Sequence, residues 1–240
     1  MTEFLHWPIC KLTPRSVSAN VTPFSRSGGR SLGGVEPSVR TDIGYWSITY
    51  DGVVIPLGDR EGWRCWQAIA RELGGSSGLA IVPILSAVSA PYASGGFEPQ
   101  YLVSHGDGTP FSDDSKYAQD AISIRTMGTT GIGQSVMRLR IINAASDLAG
   151  VRFSFEHALY ETGAIMDVDG DIVTVPVWPT VRAPIPADAE LEFDRPTCLC
   201  HLASDGEMAV SQDAMARFAA PTISFVEATD YWNRLALGLV

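Results

Sequence analysis

The sequence predicts a mainly β protein: an antiparallel β-barrel or sandwich with one amphipathic helix clamped onto a sheet, and a second small β-barrel. The 23 glycines and 15 prolines among 240 residues divide the chain into short elements joined by turns. Several short segments alternate apolar and polar residues with the period of a β-strand. Only one segment, residues 60–73, has a strong helical period.

The first strong strand signal lies at residues 45–50. Trp46, Ile48 and Tyr50 fall on one face of this segment, and the residues between them are serine and threonine. Asp51-Gly52 then predicts a hairpin turn into a second strand over 53–57. The glycine-rich residues 27–34, before this strand, predict a loop or an irregular edge.

Residues 60–73 predict an amphipathic helix. Trp63, Trp66, Ala70 and Leu73 recur at helical spacing and form one apolar stripe. Gly74-Gly75 predicts a left-handed cap at the end of the helix. We therefore expect both tryptophans to pack this helix onto a sheet.

The middle of the chain predicts a buried strand at 79–85 and then a long loop or extended arm over 91–130. The arm is poor in periodicity, apart from one possible strand at 121–126. Loops of this length in compact proteins are usually functional or ordered by a partner.

The second half predicts a small antiparallel barrel of five or six strands over 136–204. It is expected to be inserted into a belt-like domain formed by 1–135 and 205–240. Asp169-Gly170 predicts a hairpin tip within the barrel. A short helix at 211–219 and a strand at 222–227 follow. The alternating segments that predict the barrel are 136–141, 151–160, 165–167, 171–177, 189–193 and 197–202.

Residues 230–240 are too apolar to extend freely into water. Two alternatives stay open: this segment closes the core of its own chain, or it is buried against a neighbouring subunit. In the second case the segment and the 91–130 arm would together form a subunit interface. The candidate interface residues are Tyr231, Trp232, Leu235, Leu237, Leu239, Phe97, Tyr101 and Phe111.

The charge balance excludes some classes of function. The 17 basic and 27 acidic residues give a formal net charge of −10, and the sequence has no Lys/Arg run, so specific DNA binding is not expected. Residues 1–10 lack the pattern of a secretory signal. The longest apolar stretch, 79–88, is shorter than the roughly 20 residues that span a bilayer. We therefore expect a soluble protein made in the cytoplasm.

Two clusters suggest a metal site, and both have a simpler interpretation. Residues 167–171 resemble the start of a calcium loop but lack the EF-hand glycine and glutamate positions, which favours a solvated Asp-Gly hairpin. Strand alternation separates Cys198 and Cys200 from His201, so these cysteines are expected to be buried, apolar and free. No metal or cofactor is predicted.

No catalytic constellation is evident. A serine could be paired with His157 or His201, but there is no Gly-x-Ser-x-Gly elbow. The run at 28–34 lacks the ending of a phosphate-binding loop. Glu190 and Glu192 lie two residues apart, as on many solvated strands. The sequence therefore predicts a protein that is not an enzyme.

Three stretches of the chain carry a resemblance to a known family: residues 27–34 with 40–46, then 63–69 with 73–75 and 82–83, and finally 175–185 with 193–196. Together they resemble the distal tail, or tail-hub, proteins of siphophages and gene transfer agents. In that family the last stretch looks like a strand, a proline turn and an arginine that recur in a small barrel. The 91–130 arm matches no such pattern.

The resemblance implies a structural ring in the virion, commonly a hexamer. Such a ring joins the tail tube to the baseplate hub, and DNA passes through its lumen without specific binding. One alternative is a carbohydrate-binding or host-recognition module, for which Trp178 beside a turn is the best-placed tryptophan. Another is a cell-wall hydrolase, which would need a catalytic set that the sequence lacks.

Overall fold

The computed structural model describes residues 4–27, 38–85, 88–99, 101–103, 117–211 and 217–239. Over these residues the fold is mainly β, with antiparallel sheets, one of them curled into a half barrel, and two helices. In chain order the elements are β1 Leu5–His6, β2 Ser16–Ser27, β3 Ser38–Asp51, β4 Ile55–Pro56, α1 Arg60–Leu73, β5 Ala80–Pro83, β6 Tyr101–Val103, β7 Tyr117–Gln119, β8 Ser123–Thr126, β9 Val136–Asn143, β10 Arg152–Phe155, β11 Ala158–Thr162, β12 Asp167–Asp169, β13 Ile172–Trp178, β14 Thr197–Leu202, β15 Phe218–Ala219, β16 Ile223–Glu227 and α2 Thr229–Ala236.

Two sheets form the body of the protein. The first has the order β1-β5-β14-β16-β3-β2, in which β1 is parallel to β5 and the other neighbours are antiparallel. The second has the order β10-β11-β13-β9-β8, and β12 forms a hairpin with β13. The Asp169-Gly170 hairpin tip is confirmed, since Asp169 pairs with Ile172 and Gly170 has a φ of 64°.

The two sheets share one core cluster, and the first sheet also carries a second cluster on its other side. Ile81 and Leu199 of the first sheet lie with Phe153 and Val173 of the second in the shared cluster. Trp46 belongs to the other cluster, yet its indole Nε1 donates to the Leu159 carbonyl at 2.8 Å. The sheets are therefore joined by polar contacts as well as by apolar packing.

Helix α1 has the bounds that the sequence predicted. The Asp59 carboxylate accepts a hydrogen bond from the Gly62 amide at 3.0 Å and caps the first turn. Gly74, with a φ of 57°, ends the helix in the predicted left-handed conformation. The buried stripe contains Trp63, Trp66 and Leu73 as expected, but Ile69 rather than Ala70 is its fourth large member.

The hairpin predicted between residues 45–50 and 53–57 was wrong, because these two strands do not pair with each other. Strand β3 pairs with β2 and β16, whereas Ile55 of β4 pairs with Ala219 of β15. Phe218 and Ala219 consequently form a strand and not the end of the predicted 211–219 helix, whose residues 212–216 lie outside the described residues. Asp-Gly supplies the turn, but a turn does not determine which strand comes next to it.

The segment 151–160 is two strands and not one. Phe155 pairs with Ala158, and Glu156 and His157 form the two-residue turn between them, with φ of 47° and 70°. Such a turn requires positive φ at both residues. Because the turn is two residues long, the apolar alternation continues through it, which is why the sequence pattern resembled one strand.

Strand β14 does not belong to the predicted 136–204 barrel. It pairs with β5 and with β16 in the middle of the first sheet. Cys198 and Cys200 point to one core cluster and Leu199 to the other, so both faces of β14 are buried. Within the 91–130 arm, the possible strand at 121–126 is confirmed as β8, an edge strand of the second sheet, whereas β6 and β7 pair with each other where a loop was predicted.

Candidate subunit-interface surfaces

Trp232, predicted to lie at a subunit interface, is buried within its own chain. Its side chain is 4% exposed and belongs to the core cluster shared by the two sheets. Tyr231 packs edge-on against both Trp232 and Phe4, with ring centroids 5.1 and 5.3 Å apart. Helix α2 therefore closes the core of its own chain, and the interface assignment was wrong for Trp232.

The residues after α2 remain exposed and apolar. Leu237 is 73% and Leu239 is 66% exposed, whereas Leu235 is partly buried against the core. Gly238, with a φ of 67°, turns the chain, and the Leu239 amide donates back to the Arg234 carbonyl at 2.9 Å. Leu237 and Leu239 therefore keep the accessibility that an interface needs.

Phe97 is the candidate interface residue of the predicted arm whose side chain the structure describes. It is 67% exposed and packs edge-on against buried Tyr92 at 5.6 Å between ring centroids. The hydroxyl of Tyr92 donates to the Asp194 carboxylate, which fixes the ring beneath Phe97. Phe111 and the side chain of Tyr101 lie outside the described residues.

Strands β2 and β3 extend beyond the first sheet as a two-stranded ribbon. Strand β3 pairs with β16 only from Ser47 to Tyr50, but with β2 as far as Ser38. The register shifts beside Pro23, where proline leaves the ladder without one N–H donor. At the base of the ribbon, a Cβ at Gly44 would lie 2.7 Å from the Trp178 indole nitrogen, so only glycine allows this approach.

An open groove of about 650 Å³ lies along α1. Trp66, Ala68, Met208 and Val210 provide an apolar lining, and two exposed arginines also line the groove. The Trp66 indole donates to the Met208 carbonyl at 3.0 Å and holds the 208–210 segment next to the helix. The two arginines are Arg64 and Arg71, and neither has an ion pair with another described residue.

The tip of the β12–β13 hairpin is acidic, apolar and exposed. Met166 is 63% and Val168 is 58% exposed, and the three carboxylates of 167–171 are also exposed. Arg140 Nε lies 4.0 Å from the carboxylate of Asp171. Among the described residues, no group of three or more His, Cys, Asp or Glu side chains could hold a metal ion.

The cysteines near His201 are buried as predicted. Cys198 and Cys200 are fully buried, and burial raises the pKa of Cys198. His201 lies on the face of β14 opposite to the two cysteines. Its Nε2 lies 2.7 Å from the Asp230 carboxylate and its Nδ1 lies 3.1 Å from the Gly78 carbonyl. The imidazole therefore connects β14 to the first turn of α2.

His157 lies beside a cavity of about 340 Å³ that also contacts Glu190 and Glu192. Its Nδ1 lies 2.9 Å from the Thr197 hydroxyl, and its carbonyl accepts from the Leu199 amide at 2.9 Å. Burial lowers the pKa of His157, and neighbouring His6 lowers it further. These contacts fasten the Glu156–His157 turn to β14, a role that the sequence alternation did not reveal.

Within the described ranges, no helix is both long enough and apolar enough to cross a membrane. A scan against protein-family models found no matching family, and a search of the curated proteins found no match.

Proposed function

We propose that this chain is a structural component of a bacteriophage-type tail tip. In this role it forms a ring, commonly of six copies, that joins the tail tube to the baseplate hub and lets DNA pass. The three stretches that resemble distal tail proteins support this assignment. The formal charge of −10 supports a lumen that does not retain DNA, since like charges repel phosphate.

The observation that carries the proposal is the β2–β3 ribbon. The part of β3 from Ser38 to Gly44 is seven residues, or roughly 23 Å, long. A two-stranded hairpin alone is only marginally stable in water. Among the described residues no further strand pairs with the edge of β2, and such an edge pairs readily with a strand of another chain. A neighbouring subunit would supply such a strand.

The tryptophans favour an assembly role over sugar binding. Five of the six, Trp7, Trp46, Trp63, Trp66 and Trp232, are at most 8% exposed. Sugar rings stack on accessible aromatic faces, and these five faces are occupied by the core. Trp178 is the remaining tryptophan, is half-buried and lies at the base of the ribbon. The exposed side chains of Leu237 and Leu239 are better suited to a contact between subunits than to sugar binding.

The test compares the wild-type chain with a variant whose ribbon is shortened. Residues 25–40 are replaced by Asn-Gly, because the flanking Phe24 and Thr41 are register partners and Asn-Gly suits a two-residue turn. Mass photometry over a range of concentrations and negative-stain microscopy measure assembly. We expect wild-type rings of several copies of the 25.8 kDa chain, and a folded monomer for the variant.

A wild-type chain that stays monomeric at every concentration, both alone and with isolated tail tubes, would contradict the ring proposal. Rings formed equally well by the shortened variant would show that the ribbon is not the contact.

A further inference from the structure

Two exposed surfaces of this chain are complementary in charge, and both present apolar side chains. The first is the α1 groove, which has an apolar lining and two arginines without ion partners among the described residues. The second is the β12–β13 tip, defined here as residues 166–171, which presents two apolar side chains and three carboxylates. The two surfaces therefore carry opposite charge beside apolar side chains.

Within one copy these surfaces do not meet. The tip residues Met166 and Val168 are more than half exposed, and no tip residue lines the groove. The surfaces also lie over different parts of the core. Trp66 beneath the groove belongs to the cluster on the outer side of the first sheet, whereas Val173 of β13 belongs to the cluster between the sheets.

We propose that the β12–β13 tip of one copy docks in the α1 groove of the next copy. This inference rests on the proposed function, because it specifies how neighbouring subunits of the ring would recognise each other. The two patches differ, so the contact is head-to-tail, and head-to-tail contacts close into rings when the rotation permits.

The spacing of the charged groups suits this contact. Arg64 and Arg71 are seven residues apart on α1, roughly 10 Å along the helix axis. Asp167 and Asp169 are two residues apart on β12, roughly 7 Å, and lie on one face of the strand. Two flexible arginine side chains span this difference easily.

The apolar side chains of the tip can also contact the apolar lining of the groove. Strand alternation puts Met166 and Val168 on the face opposite to the two aspartates. With the aspartates towards the arginines of α1, that face can contact the apolar lining formed by Met208 and Val210 of the neighbouring segment. The tip is narrow because the hairpin turns at Gly170, and the outer edge of β12 is unpaired in the described part of the chain.

The charge balance explains why the occupant would be a second copy. The chain carries a net charge of −10, so two copies repel each other over most of their surfaces. A groove with two arginines that pair with no described carboxylate is an exception to that repulsion, and an acidic tip on the same chain is available at equal concentration.

The experiment uses charge reversal in trans. One variant carries Arg64→Glu and Arg71→Glu, and the other carries Asp167→Arg and Asp169→Arg. All four positions are exposed, so both variants should fold, which circular dichroism and urea unfolding check. Arg60→Glu is the matched control, because Arg60 is exposed on the same helix but does not line the groove.

Each reversed variant alone places like charges in contact, and its assembly midpoint should rise at least about tenfold in concentration. An equal mixture of the two variants should assemble again. In that mixture every natural tip can meet a natural groove, and every reversed tip can meet a reversed groove. The Arg60→Glu control should assemble like wild type.

Cysteine cross-linking tests the contact directly, even where assembly is weak. In a background with Cys10→Ser and Cys65→Ser, one copy carries Ala68→Cys and another carries Val168→Cys. A short bismaleimide should link the two species to each other and leave each species alone largely unlinked.

The outcomes separate this inference from the ring proposal. Wild-type rings that are insensitive to both reversals, with no cross-link, would overturn the docking contact and leave the ring proposal standing. A cross-link between copies without closed rings would support the contact and count against the ring. Absence of both assembly and cross-link would overturn both.

Discussion

Arg182 and Glu227 form a buried ion pair that joins the segment after β13 to β16 of the first sheet. Arg182 Nε lies 2.8 Å from Glu227 Oε1, and the guanidinium Nη2 lies 3.0 Å from Oε2. The side chains are 10% and 0% exposed. The same carboxylate accepts a hydrogen bond from the Trp46 amide at 3.0 Å, and Arg182 also donates to the Gly44 carbonyl. The pair therefore fixes the base of the ribbon as well.

Removing one partner of this pair should destabilise the fold strongly. Glu227→Ala leaves the Arg182 guanidinium buried without its counter-charge, and such losses cost about 3–5 kcal/mol. Urea unfolding monitored by tryptophan fluorescence measures the change. Glu190→Ala is the matched control, since the Arg125–Glu190 pair is exposed and its nitrogen–oxygen distance is 3.5 Å. Equal, small effects of both substitutions would contradict a structural role for the buried pair.

Substitutions around α2 should separate folding from assembly. Trp232→Ala removes a buried core side chain and should lower the free energy of unfolding by about 3–5 kcal/mol. Leu237→Ser with Leu239→Ser changes exposed side chains and should alter stability by only about 0.5 kcal/mol while it weakens assembly. Deletion of 231–240, in contrast, should impair the fold itself. A Trp232→Ala chain as stable as wild type would refute the core role of this residue.

His157 should make stability depend on pH. Burial and His6 lower its pKa in the folded state, whereas the unfolded chain has a histidine pKa of about 6.5. The unfolded state therefore gains a proton first as the pH falls. Stability is fully present above about pH 6.5 and decreases as the pH falls towards the lower folded pKa.

The variant that tests this effect is His157→Asn. Asparagine tolerates the φ of 70° at this turn and does not titrate. Urea midpoints at a neutral and a mildly acidic pH should differ less for the variant than for wild type. The other three histidines of the chain remain in both proteins, so the difference reports on His157. An unchanged pH dependence would show that this side chain contributes nothing to it.

The four free thiols should differ widely in reactivity. Cys10 is exposed and should react first with a disulfide reagent, and Cys65 should react more slowly because partial burial raises its pKa. Cys198 and Cys200 are fully buried and should react only when the protein unfolds. Stopped-flow thiol titration with and without urea measures this, and Cys10→Ser should remove the fastest phase. Rapid native reaction of all four would contradict the packing of β14.

The parts of the fold that the sequence predicted correctly are those whose cause is local. Helix α1 begins after a capping carboxylate, follows an apolar period and ends at Gly74, all within about one segment. The Asp169-Gly170 tip likewise depends only on its own turn residues. Burial of Cys198 and Cys200 followed from an apolar segment without charged residues.

Strand partners could not be predicted in the same way. A period of two shows which face of a strand is apolar, but not which strand lies beside it. For this reason the pairing of β4 with β15 and the central position of β14 were missed. The two-residue turn at Glu156–His157 was missed because neither residue is a glycine and the alternation does not change there.

The sequence by itself therefore determined the class of fold, helix α1, the tip at Asp169-Gly170 and the residue types that the core takes. The tertiary structure decided which of the candidate interface residues are accessible: Trp232 is enclosed by its own chain, whereas Leu237 is not. The tertiary structure also places Arg182 beside Glu227, which is 45 residues away in the chain. Burial and ion pairing of this kind depend on residues distant in sequence, so only the packed arrangement of both sheets specifies them.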